Sequence, residues 1–190
     1  MTERATRQIT DARVLSALAH PLRTRLLELF SVDGPATASM LAERTGQAVG
    51  NISHHLHVLA KCELIVEAPE LARDRRERWW TRPATAIAWS SKDFADDAAS
   101  EALALTASSI NLDRHERHAR AWLEVGTEER ASWGEGPFST DTWARLTPGE
   151  LAQCGAEIRE VLRRWADDRP DDGQERASVF LVARGTPARP

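Results

Sequence analysis

Through the first third of the chain, apolar residues recur at helical spacing. Thr10 or Asp11 suits the cap of a first helix, whose apolar stripe is Val14, Leu15 and Leu18. His20-Pro21 interrupts it, because the residue before a proline avoids helical geometry. Pro21 then fits the first turn of a second helix over residues 21–31, with Leu22, Leu26, Leu29 and Phe30 on one face. Asp33-Gly34-Pro35 ends that helix. Thr37 is placed to cap a third helix over 38–45, with Met40 and Leu41 inward and Gly46 as its C-terminal stop. A fourth helix over 48–61 carries a buried stripe of Ile52, Leu56 and Leu59. Two short helices joined by a tight glycine-containing turn predict a helix-turn-helix.

The period then changes. Leu64-Ile65-Val66-Glu67 predicts a strand, residues 69–75 a turn, and Arg76 to Thr81 a returning strand on which Trp79 and Trp80 face opposite ways. A helix-turn-helix followed by a β-hairpin is the winged-helix arrangement. Beyond it, residues 92–110 predict a long helix with Phe94, Ala98, Ala102, Leu105 and Ile110 at helical spacing. Residues 113–124 continue it or form a second helix after a break at Asn111 to Asp113; both readings stay open. The Ala-rich faces suit close packing, within the chain or between two copies. Thr147-Pro148-Gly149-Glu150 is a capping box with proline at the first helical position, opening a helix to about Asp167. The run Ala177 to Ala183 predicts a terminal strand that needs a partner.

Composition bounds the function. With 42% apolar residues in 190, the chain can bury a core. The net charge of −4 hides an asymmetry. Residues 1–82 hold 12 basic and 10 acidic side chains, net +2, whereas residues 83–190 hold 13 and 19, net −6. Nothing approaches the roughly 18 apolar residues of a membrane span, and Met1 to Thr10 is too polar for a secretory signal, so a cytoplasmic location is expected. Cys62 and Cys154 are too far apart in sequence for a zinc pattern and too few for a disulfide scaffold. No Gly-rich phosphate loop or nucleophile-base pattern is present, so no enzyme and no cofactor are predicted.

The chemistry lies on the fourth helix and the hairpin. Gly50, Asn51, Ser53, His54 and His57 point away from the apolar stripe, and Gln47 precedes them. Small residues let a backbone approach DNA closely, and amide and imidazole groups read base edges in the major groove. His55 lies nearer the stripe and is expected, with Ser53, to donate to phosphate at the groove edge. Arg73, Arg75, Arg76 and Arg78 put four positive charges on the hairpin, suited to phosphate or minor-groove contact. His54, His55 and His57 do not converge on one ion, so no metal site is expected.

These same stretches, "ALAHPLRTRLLELF", "ATASMLAERTGQAVGNISHHLHVLAKCELIVE" and "RERWW", resemble the winged helix-turn-helix of ArsR-type bacterial transcriptional regulators. The resemblance is closest to an actinobacterial-looking group with a longer C-terminal region, through Trp89-Ser90 and the "LTPGEL" helix start. It covers residues 12–90 strongly and the rest loosely. It implies a homodimer on a roughly two-fold operator, acting as a repressor, with base reading by the helix that holds Gly50, Asn51, Ser53, His54 and His55. The paired-cysteine motif of the family's metal sensors is missing from residues 45–53, so metal sensing is not implied.

The sequence therefore predicts a mainly α protein with a small β-hairpin: a winged helix-turn-helix domain over 10–82, and a helical region over 83–190 that ends in a strand and serves dimerisation or ligand binding. The predicted function is a DNA-binding regulator whose partners are double-stranded DNA and a second copy of the chain. Two alternatives stand beside it. One is a winged-helix protein-interaction module; the other is a regulator whose DNA binding a small-molecule effector controls.

Overall fold

The computed structural model describes residues 6–74, 77–83, 85–167 and 172–187. The described residues divide into two compact units, one up to residue 113 and the other from residue 114 onward; the boundary falls inside a helix.

The first unit opens with a short strand, β1 (Thr6–Gln8), followed by α1 (Ala12–Leu18), α2 (Pro21–Asp33), β2 (Ala36–Thr37), α3 (Ala38–Thr45) and α4 (Val49–Lys61). Helices α1, α2 and α3 each begin where a side chain satisfies an otherwise unpaired backbone N–H group. The Asp11 carboxylate accepts from the Arg13 N–H at 2.8 Å. His20 Nδ1 accepts from the Leu22 N–H at 3.2 Å, and Thr37 Oγ1 from the Met40 N–H at 3.3 Å. Gly46 ends α3 in the left-handed region, at φ 66°, which lets the chain turn sharply into α4.

Leu15, Leu26, Leu41, Ile52, Leu56, Leu59 and Ile65 are almost fully buried in one core. Burying one such side chain contributes about 1.5–3 kcal/mol before conformational entropy is counted. The predicted strand over 64–67 shortens to β3 (Val66–Glu67), because Leu64 and Ile65 turn into this core. A short 3-10 turn (Pro69–Leu71) leads into the hairpin, whose returning strand is β4 (Trp79–Thr81). β4 is the centre of an antiparallel sheet in the order β2-β4-β3, pairing Ala36 with Trp80 and Val66 with Thr81. Trp80 is the inward tryptophan, at 4% exposure.

The sequence did not suggest β2, nor the pairing of β1. That strand runs parallel to β5 (Ala86–Ala88), matching Thr6 to Ala86 and Gln8 to Ala88. The first unit thus extends past residues 10–82 at both ends. Phe94, in a 3-10 turn (Ser91–Phe94), and Ala104 and Ala107 on α5 (Ala98–Glu124) join its core. Helix α5 starts later than residue 92 and runs through Asn111 to Asp113 without a break.

The second unit holds the rest of α5, α6 (Thr127–Ser132) and α7 (Pro148–Asp167). The capping box is formed in full: Glu150 Oε2 accepts from the Thr147 N–H at 2.7 Å, and Thr147 Oγ1 accepts from the Glu150 N–H at 3.3 Å. None of the described residues from 114 onward is buried. The expected strand over 177–183 is not formed; that stretch has no strand pairing. It is held by side chains instead. The Phe180 ring stacks on His118 at 4.5 Å and lies 5.5 Å from His115.

Candidate nucleic-acid interface

Helix α4 has two chemically distinct faces. Ile52, Leu56 and Leu59 lie at 0% exposure on one side. Gly50, Asn51, His54 and His57 are exposed on the other, Gln47 is exposed just before the helix, and Ser53 is half-buried. A side chain added at Gly50 would meet nothing within 4 Å, so the fold does not require glycine there. The surface is open to whatever approaches it. Val49, in the first turn of α4, is also exposed, although its apolar side chain gave no signal as a surface residue.

The exposed polar groups are not independent. Asn51 Nδ2 donates to Gln47 Oε1 at 3.0 Å, one helical turn away. His57 Nδ1–H donates to the Ser53 carbonyl at 2.7 Å. This leaves His57 Nε2 to accept from Arg78 Nη1 at 3.4 Å. The Arg78 guanidinium also approaches Glu67 at 3.4 Å and lies 5.9 Å from the centre of the Trp80 ring. One arginine therefore links α4 to two strands of the wing.

The wing turn is organised by a carboxylate. Glu77 Oε2 accepts from the Arg73 N–H at 3.0 Å and from Trp79 Nε1 at 3.3 Å. These bonds, the Arg73 one foremost, hold its carboxyl below the usual range. Asp74 Oδ1 accepts from the Glu77 N–H at 3.1 Å. Arg73 and Arg78 flank this turn; Arg75 and Arg76, also expected to bind DNA, lie outside the described residues.

His55 departs from expectation. It is buried, at 8% exposure, and its Nδ1 has no hydrogen-bond partner. Its ring lies 4.7 Å from His20, the residue that caps α2, and 5.5 Å from His54. A side chain so placed cannot reach a phosphate without leaving the core. Burial pushes the His55 imidazole below its ordinary pKa, aided by His20, Arg23 and His54; burial, then Arg23, does the same to His20. Both rings are thus neutral near pH 7, as the cap requires, since His20 Nδ1 must accept.

Asn51, Ser53, His54 and His57 thus lie on α4 away from its apolar stripe, with Gln47 just before the helix; Asn51 pairs with Gln47, and His57, tied to the Ser53 carbonyl, meets Arg78 of the wing. Among the described residues, no group of three or more His, Cys, Asp or Glu side chains is placed to hold a metal ion. Cys62 and Cys154 are free thiols, and burial pushes the Cys62 thiol up, away from the reactive thiolate. Among the described residues, no helix is long and apolar enough to cross a membrane.

Residues 18–67 match a family model described as a helix-turn-helix domain, a stretch that runs from the end of α1 through β3. Fold and match together define the class: a winged helix-turn-helix protein of the kind found in DNA-binding regulators. No curated protein matches the chain.

Proposed function

We propose that the protein is a sequence-specific transcriptional regulator of the ArsR type, acting as a homodimeric repressor on an inverted-repeat operator. The reading rests on one observation. The α3–turn–α4 unit presents an exposed polar surface at the N-terminal end of α4, the part of such a helix that reaches base edges in the major groove. In this reading Gln47, Gly50, Asn51, His54 and His57 face the bases, and Ser53 lies at the groove edge. Arg73, Arg75, Arg76 and Arg78 hold the wing against phosphates. His55 supports α4 from behind and makes no contact with DNA.

Residues 10–82 form the DNA-reading part and residues 83–190 the dimerisation region, which also offers a surface for a small-molecule effector. The protein acts in the cytoplasm. Its modest positive balance over residues 1–82 makes electrostatic steering weak per chain, so two copies binding together supply much of the affinity.

Selection of bound sequences from random duplex DNA tests the reading. Enrichment of an inverted repeat is the expected result. Failure to enrich any motif, with no retention on duplex DNA at low salt, would leave the winged helix as a protein-interaction module.

A further inference from the structure

We infer that Asn51 reads an adenine in the operator and that Gln47 is the residue that aims it; the inference rests on the DNA-reading role proposed above. Both side chains are exposed at the N-terminal end of α4, and Asn51 Nδ2 donates to Gln47 Oε1 at 3.0 Å. A free asparagine side chain rotates and offers its amide in many directions. Here one amide hydrogen is tied to Gln47, so the Asn51 plane is set before DNA arrives.

The bond leaves Oδ1 and the second Nδ2 hydrogen of Asn51 unused, which is one acceptor beside one donor. Interchanging oxygen and nitrogen in both amides keeps the Gln47 bond and still leaves one acceptor beside one donor. In the major groove only adenine presents the complement on a single base, the N7 acceptor next to the N6 donor. Guanine presents two acceptors, N7 and O6, and would face the Asn51 oxygen with a repulsive contact. Gly50, with no side chain and open space around it, lets this turn of the helix come close enough for a two-point contact. Asn51 is thereby the specificity-determining residue and Gln47 a positioning residue.

The test uses the full-length chain and a duplex recovered by random selection. Each adenine of the enriched motif is replaced in turn by 7-deazaadenine, which lacks the N7 acceptor, and by guanine in a G·C pair. Binding is measured for the wild type, Asn51→Ala and Gln47→Ala. One adenine position is expected at which 7-deazaadenine weakens wild-type binding about 10-fold and a G·C pair weakens it more. The same replacements should change Asn51→Ala binding less than 2-fold, and Gln47→Ala should lie between the two.

Thermal melts of the variants are expected to match the wild type, because neither side chain is buried. A motif with no adenine position coupled to Asn51 would overturn the inference while leaving the DNA-reading function intact. So would equal losses for Gln47→Ala at every base pair. Failure to recover any motif would overturn the inference and the proposed function together.

Discussion

His57 accepts from Arg78 through Nε2 while its Nδ1–H is held by the Ser53 carbonyl, so a single imidazole couples α4 to the wing. The pair is exposed, and its worth to stability is only about 0–1 kcal/mol. Its value is directional. The ring fixes where Arg78 stands relative to the polar face of α4, and so sets the distance between two elements that would touch the same DNA.

The first prediction follows from that coupling. Arg78→Ala should weaken binding to all duplexes alike and lower the dependence of log K on log salt by about one. His57→Ala should reproduce part of the loss, and the double variant should fall short of the sum by about 0.5 kcal/mol or more. Strict additivity in a gel-shift titration would show that the two residues act separately.

A second prediction separates reading from folding. Changing Asn51 and His54 together to Ala should cost about 1–3 kcal/mol of discrimination between operator and random DNA. Denaturation midpoints should stay within about 0.5 kcal/mol of wild type, because both side chains are exposed. Wild-type discrimination in the double variant would remove these residues from the reading face.

The two tryptophans of β4 give a third. Trp80 is buried and its strand pairs on both sides, whereas Trp79 is half-exposed. Trp80→Ala should destabilise the protein by about 3–5 kcal/mol, whereas Trp79→Ala should cost far less. Chemical denaturation of both variants gives the comparison, and equal losses would contradict the placement.

The fourth concerns pH. His20 and His55 both have lowered pKa values in the folded state. The unfolded chain therefore binds more protons below about pH 6.5, the ordinary histidine value. Stability is level above that pH, falls as the pH drops below it, and levels again once the folded-state values are passed. His20→Asn keeps an acceptor at the α2 cap and removes one titrating ring. Its melting temperature should fall less steeply between pH 6.5 and 5 than that of the wild type.

Residues 10–61 were legible in the sequence because the signals there are local. Caps at Asp11 and Thr37, Pro21 at a first turn and Gly46 at a stop each act within a few residues, and the structure places all four as expected. Strands β1 and β2 escaped notice because they are three and two residues long and gain their identity only from distant partners. The run over 177–183 misled for the opposite reason: its β-branched composition favours a strand, but strand pairing needs a neighbour that the fold does not supply. Helical spacing put His55 near the stripe, within expected reach of a phosphate at the groove edge, but it is buried. Its neighbour across the core, His20, comes from another helix and leaves no trace in local periodicity.

The absence of any buried residue among those described from 114 onward has a calorimetric consequence. The heat-capacity change of unfolding tracks apolar surface newly exposed to water, and this stretch already shows Leu123, Phe138, Trp143 and Trp165 to solvent. An isolated chain would therefore melt with a smaller heat-capacity increment than a fully packed protein of its length. Any excess over that increment would measure apolar surface that a second copy or another molecule has covered.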